Sequence, residues 1–255
     1  MLLRPYCRPL LFLLLMTAAV EMSPAAAGAA ARIPTSEVSQ EVVARMTPEI
    51  GQALREKALA LGAPIFIRIF KESRQLEVWV LRGNEFVLFK TYSICDFSGE
   101  LGPKLREGDK QSPEGFYRVG PSQLNPNSNF HLAFNLGYPN EYDELHNRTG
   151  GKLMVHGRCS SVGCFAMTDY RMEEIYTIVE AALANGQESF AVHIFPFRMT
   201  EDNMRRHRTS PWLSFWRNLK EGYDIFERTA APPEVVVAGD RYTFRATIIE
   251  LARHP

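Results

Sequence analysis

A surplus of charge of either sign is missing from this chain. Lys plus Arg number 29 and Asp plus Glu number 29, so the formal net charge is zero. A balanced chain has no bulk field to hold nucleic acid or an anionic membrane, and neither is an expected partner. Whatever it binds, it binds through a local site. Internal repeats are absent, and so are low-complexity tracts beyond an Ala-rich leader. Outside that leader no stretch is apolar enough to span a bilayer. Cysteine is scarce, with four in 255 residues. What remains is ordinary: 45% hydrophobic and 23% charged residues argue against wholesale disorder. The length suits one medium-sized domain with decorations, or at most two small ones.

The leader is the clearest compartment signal. Arg4 and Arg8 precede an unbroken apolar stretch from Leu10 to Val20, and small residues follow at Ala25-Ala26-Ala27 and Ala29-Ala30-Ala31. That order is the one of a secretory signal peptide, over residues 1–27, and the apolar run is too short to cross a bilayer as a helix. Cys7 lies before the apolar run, so it is not a lipid-modified cysteine of a lipoprotein cleavage site. The expected mature protein is exported to the periplasm, with no membrane association once the leader is removed. Three cysteines then remain: Cys95, Cys159 and Cys164. An odd number in an oxidising compartment leaves at least one thiol free or paired outside the chain.

Residues 28–47 read as a linker of Ala, Pro, Ser and Val mixed with charge. Pro48 opens a helical pattern of Ile50, Ala53, Leu54, Ala58 and Leu61, which Gly62 stops. Three strands follow at Ile65–Phe70, Leu76–Leu81 and Phe86–Tyr92, with breaks short enough for hairpins. Ser98–Gly115 is a long polar loop. Strand pattern returns at Phe116–Val119, Phe130–Leu136 and Leu153–His156. Thr168-Asp169 reads as a helix N-cap pair, followed by an amphipathic stripe from Met172 to Leu183 and a stop at Asn185-Gly186. Phe190–Phe195 is another strand, and Thr200–Arg208 and Pro211–Leu219 are further helices. Strand pattern is weak after Thr229, so 229–255 reads as a C-terminal tail behind a domain over 48–228. The pattern predicts an α+β domain on an antiparallel or mixed sheet.

The stretch that carries chemistry is Met154–Asp169. It opens on His156-Gly157 at a strand end and closes on Ser161-Val162-Gly163-Cys164 before a helix. Seven residues separate His156 from Cys164, enough to leave a strand, loop and return beside it. A cysteine that attacks a carbonyl needs a base or cation to hold its thiolate, backbone N–H groups aimed at the oxyanion, and a group that fixes the imidazole tautomer. Gly163 allows the tight turn that frees the Cys164 N–H and a neighbour as oxyanion donors. The Gly157 carbonyl is placed to accept from the His156 ring. Two plainer alternatives stand beside this one. Cys159, Cys164 and His156 could ligate a structural zinc, with a fourth ligand from His131 or His146. Cys164 could also be a buried core cysteine.

Ser161-Val162-Gly163-Cys164 with the preceding His156-Gly157 resembles the signature of the YkuD-type L,D-transpeptidases. The upstream Gly102-Pro103-Lys104, Gly108-Asp109-Lys110 and Ser112–Tyr117 resemble the same family's lysine, Thr-Pro-x-Gly and aromatic-strand segment. The resemblance spans roughly Ile65 to Phe197. It departs where Val162 replaces a second His, where Ala166 replaces an Arg, and in a shorter His-to-Cys loop. These features, with Phe134–Asn140, are similar to the YafK-like branch, whose members are associated with cutting an outer-membrane lipoprotein from peptidoglycan.

The resemblance implies a mixed, mainly antiparallel β-sandwich or barrel with peripheral helices, and an enzyme with no cofactor and no metal. It implies Cys164 as nucleophile, His156 as base, Gly157 as the residue that orients the imidazole, and Gly163 with the Cys164 backbone as the oxyanion region. Arg158, Lys104 or Arg106 would take over from the missing Arg in holding the substrate carboxylate, with Ser161 and Tyr138 also in the substrate site. Cys159 matches no family-wide role; it is a bystander or the partner of Cys95. The implied partners are peptidoglycan stem peptides and a peptidoglycan-attached lipoprotein. The implied reaction is acyl transfer at the L-centre of meso-diaminopimelate through a thioester, with amine or water as acceptor, and carbapenems are implied to acylate Cys164. The alternative of another class is a wall-binding module without turnover.

Overall fold

Six consecutive residues of β1 (Ile65–Phe70) are buried, Arg68 included, so this strand is covered on both faces. Its alternation sorts the neighbours: Ile65, Ile67 and Ile69 enter one core cluster, while Phe66 and Phe70 enter clusters on the opposite face. The computed structural model describes residues 32–247. β1 pairs antiparallel with β2 (Gln75–Arg82), which pairs with β3 (Glu85–Ser93) as the hairpin spacing predicts. On its other side β1 runs parallel to β10 (Phe190–Phe195), and β10 is antiparallel to β5 (Gly115–Val119). The sheet order is β3-β2-β1-β10-β5.

A second five-stranded sheet has the order β4-β9-β8-β7-β6. It comprises β4 (Asp96–Phe97), β6 (Leu124–Ser128), β7 (His131–Asn135), β8 (Met154–His156) and β9 (Phe165–Ala166). The largest core cluster joins the two sheets: Ile67, Val78, Val119 and Val192 from the first share it with Phe134, Val155 and Phe165 from the second. Helix α3 (Asp169–Ala184) adds Met172, Ile175 and Val179 to it, and α1 (Glu37–Arg55) packs on α3. The short α2 (Glu141–Leu145) lies between β7 and β8, and α4 (Glu201–Arg206) follows β10. The outer face of the first sheet is closed by α5 (Leu213–Thr229) and by a hairpin of β11 (Glu234–Ala238) and β12 (Arg241–Arg245). The architecture is thus the mixed, mainly antiparallel α+β arrangement expected, with a parallel pair in each sheet.

Three elements differ from the sequence reading. α1 starts at Glu37, inside the stretch read as a linker, and ends at Arg55, short of Gly62. Val42, Met46, Ile50 and Leu54 bury one stripe at four-residue spacing, and Ser36 and Ser39 close a capping box ahead of it. Pro48 lies inside this helix. It removes one backbone donor, but the buried stripe on either side holds the helix through it. Thr168 occupies the N-cap position of α3 with φ +71 and makes no capping hydrogen bond; Asp169 Oδ1 accepts instead from the Arg158 N–H at 2.6 Å. Residues 230–247 pack on the domain: Tyr242 is 1% exposed, and its backbone exchanges hydrogen bonds with the Asn218 side chain. The signal-peptide reading and the end of the tail lie outside the described residues.

Candidate active site

β8 and β9 run parallel, with Val155 beside Phe165 and His156 beside Ala166. Extending that register by one residue sets Cys164 beside Met154, two residues before His156 on β8. Strand rise and spacing then separate the Cα atoms of His156 and Cys164 by about 8 Å. The Met154 N–H donates to Cys164 Sγ at 3.4 Å, and the thiol faces the Lys152 carbonyl at 3.8 Å. Cys164 is half-buried and free, so it is not sealed in the core. No hydrogen bond among the described residues joins it directly to the imidazole.

His156 is buried, and its Nδ1 lies 2.6 Å from the Gly157 carbonyl. A carbonyl only accepts, so Nδ1 carries the proton and Nε2 keeps its lone pair. The Phe130 ring lies over the imidazole at 4.6 Å between centroids. Gly157 is needed at its place: an added Cβ would stand 2.7 Å from both the Phe130 carbonyl oxygen and Asp169 Oδ1. Gly157→Ala is therefore expected to tilt the imidazole and slow thiol acylation about 100-fold, the usual cost of a misplacement near 1 Å. Stopped-flow acylation beside a circular dichroism control checks it.

The turn before Cys164 is held from several directions. Gly163, at φ +107, donates its N–H to Ser98 Oγ at 2.6 Å. Ser161 Oγ donates to the Cys164 carbonyl at 2.7 Å, Ser112 Oγ does so at 3.3 Å, and the Ser161 N–H donates to Asp96 Oδ2 at 2.9 Å. The Gly163 N–H is thereby occupied, and among the described residues the Cys164 N–H has no partner. Cys95 and Cys159 form a disulfide, which ties the His-to-Cys loop to the start of β4 and removes Cys159 from any zinc set.

The electrostatics oppose a resting ion pair. Burial pushes the Cys164 thiol above its ordinary range, against a smaller opposing effect of the Met154 N–H. Burial lowers His156, partly offset by the Gly157 carbonyl. A neutral thiol beside a neutral imidazole follows, rather than the thiolate the sequence reading asked for. Alkylation of Cys164 by iodoacetamide should then climb with pH to a midpoint above the ordinary thiol value of about 8.5. A reactivity plateau already reached below pH 7 would refute the neutral pair.

Of the residues read as substrate-binding, Arg158 is exposed, reaches over the Phe130 ring at 5.9 Å, and makes no ion pair among the described residues. Lys104 is not available. It is buried, and its Nζ donates to Asp109 at 2.5 Å and to the Arg106 carbonyl at 2.8 Å. Tyr138 is buried too, its hydroxyl directed at the Lys104 and Thr149 carbonyls. Both brace the 98–115 loop. Ser161 is occupied as described, and Arg106 is exposed on a neighbouring groove.

Sequence reasoning missed Ser98, Asp96 and Lys71. Lys71 is fully buried, where its Nζ meets Glu114 Oε1 and the carbonyls of Gly102 and Ser112. A charged residue directly after the apolar run of β1 was the available signal.

A family model described as the YkuD L,D-transpeptidase catalytic domain matches residues 65–218. The chain belongs to the YkuD family. It is therefore an enzyme of the L,D-transpeptidase and peptidoglycan-hydrolase type. A YkuD relative, "Putative L,D-transpeptidase YafK" of Escherichia coli strain K12, is 50% identical over 186 residues, 73% of this chain and 76% of the relative. The same-named protein of Escherichia coli O157:H7 matches equally. Among solved structures, the helical cell shape determining protein Pgp2 from Campylobacter jejuni is 18% identical over 79% of this chain and 81% of its own, with a TM-score of 0.43. No helix among the described residues is long and apolar enough to cross a membrane.

Proposed function

We propose that the protein is an exported cysteine acyltransferase that acts on peptidoglycan stem peptides through a thioester on Cys164. Cys164 Sγ attacks the carbonyl at the L-centre of meso-diaminopimelate, and its proton passes to His156 Nε2. The new C–S bond forms a tetrahedral oxyanion that the Cys164 N–H stabilises. The C–N bond then breaks, and the imidazolium returns its proton to the departing amine, leaving the thioester. An acceptor amine attacks that thioester, giving a new amide and the free thiol. The observation that carries this reading is a free, half-buried thiol two register positions from an imidazole whose tautomer is set by the Gly157 carbonyl. Substrate entry closes the remaining gap between the two, since catalytic hydrogen bonds are often long before the substrate is bound. Arg158 is the cation for the substrate carboxylate, and the N-terminal leader directs export.

Water as acceptor is the second reading, with release of a peptidoglycan-attached lipoprotein as its outcome. Access favours it, because Val162, two residues from the thiol, is 69% exposed. Incubation with sacculi that carry or lack attached lipoprotein, read by mass, separates the two. New cross-links support transfer, whereas freed lipoprotein or shortened stems support hydrolysis. Unchanged sacculi in both incubations would oppose either form of turnover and leave the wall-binding module.

A further inference from the structure

Two cavities, of about 530 and about 620 Å³, meet at His146, Arg148 and Trp212. Together they make one groove from the C-terminal hairpin, at Asp240, to Gln111 beside the catalytic turn. Its near end is close to the nucleophile: the Gln111 carbonyl oxygen would stand 3.5 Å from a Cβ on Gly163, the residue before Cys164.

We propose that this groove is a subsite for the glycan strand, an uncharged N-acetylated polysaccharide, and so extends the enzyme's grip from the stem peptide to the sugar chain. The inference rests on the peptidoglycan reading above. Three observations choose this occupant. First, the shared wall is aromatic: His146 stacks on Tyr142 at 4.1 Å, and the half-buried Trp212 stands beside them, giving flat faces for the C–H faces of sugar rings. Second, Trp212 is the one tryptophan whose indole N–H has no partner among the described residues. Trp79 donates to Glu77 and Trp216 to Glu114, as indole donors away from water ordinarily do. A hydroxyl or acetamide oxygen in the groove would accept that bond. Third, the charges of the walls balance. Arg148 pairs with Asp143, Arg241 with Glu221 and Asp109 with Lys104. The remaining Arg106 and Arg217 are matched in number by Glu100 and Asp240, so the groove carries no net charge to select a charged chain.

The test uses an N-acetylglucosamine oligomer, which has the sugar chemistry and no peptide, titrated by calorimetry into Cys164→Ala protein so that turnover plays no part. Saturable binding is expected. Trp212→Ala should weaken it about tenfold or more, and Trp212→Phe should retain most of it. Trp212 also packs against Gly102, so His146→Ala serves as a second variant on the opposite side of the same wall, with a several-fold loss expected. No saturable binding to the parent protein, or equal binding by all three variants, overturns the proposal. So does displacement of the oligomer by a sugar-free stem peptide, which would make the groove a peptide subsite. The outcomes stay distinct from the nucleophile reading: an active wild-type enzyme that ignores the oligomer sinks the glycan subsite alone.

Discussion

Cys164→Ala is expected to abolish acyl transfer, by about 10⁴-fold or more, while leaving a folded protein. Removing the nucleophile of a covalent mechanism takes away the step that the base and oxyanion donor serve, so the loss approaches that of dismantling the whole constellation. The structural cost is small. The sulfur is half-buried, and its main contact is one long hydrogen bond from the Met154 N–H, worth about 1 kcal/mol at most. Cys164→Ser should be nearly as inactive, because a hydroxyl needs a stronger base than a buried imidazole whose proton affinity is already lowered. The measurement is mass spectrometry of the folded protein after exposure to a carbapenem, beside product release from sacculi. One acyl adduct on wild type and none on the variant is the expected pair. Turnover at the wild-type rate by Cys164→Ala would end the covalent reading.

The second large effect is on stability and lies away from the thiol. Lys71→Met should destabilise the protein by about 3–5 kcal/mol, because it leaves Glu114 as an uncompensated charge in a site where both partners are fully buried. For a domain of this size that lowers Tm by roughly 10 °C or more. The double variant Lys71→Met/Glu114→Gln should recover a good part of the loss, since the penalty comes from the stranded charge rather than from the missing attraction. The pair also organises the surroundings of the proposed nucleophile. Glu114 accepts from the Gly102 N–H and from Trp216 Nε1, and Lys71 donates to the carbonyls of Gly102 and Ser112. Ser112 in turn donates to the Cys164 carbonyl. Acylation of the single variant should therefore fall even below its unfolding transition. Thermal denaturation and acylation rates at one temperature check both halves, and an unchanged Tm would show that the pair carries no weight.

What was legible in the sequence was local. The three strands from Ile65 to Tyr92 announced themselves by β-branched and aromatic runs with short polar breaks, and they form the hairpins expected. The order of His156-Gly157 and Ser161–Cys164 marked the candidate site, and the geometry sets the first motif at the end of β8 and the second just ahead of its neighbour β9. β9 passed unseen because a two-residue strand has no period to read. α1 was begun late because Pro48 masked a stripe that continues on both sides of it. The C-terminal hairpin read as a tail because its inward residues gain their partners from distant elements, Tyr242 from Asn218 of α5, Tyr142 of α2 and Phe116 of β5.

By itself the amino-acid order determined the family, the α+β class and the two side chains on which the chemistry is proposed to turn, because short-range pattern and motif spacing are properties of neighbours along the chain. Tertiary structure alone decided that Cys159 bonds to Cys95, that Lys104 and Tyr138 brace a loop from buried positions, and that Gly163 spends its N–H on Ser98. Each of those outcomes depends on which distant group arrives within hydrogen-bonding or bonding distance, and burial then sets the charge state that thiol and imidazole hold at rest.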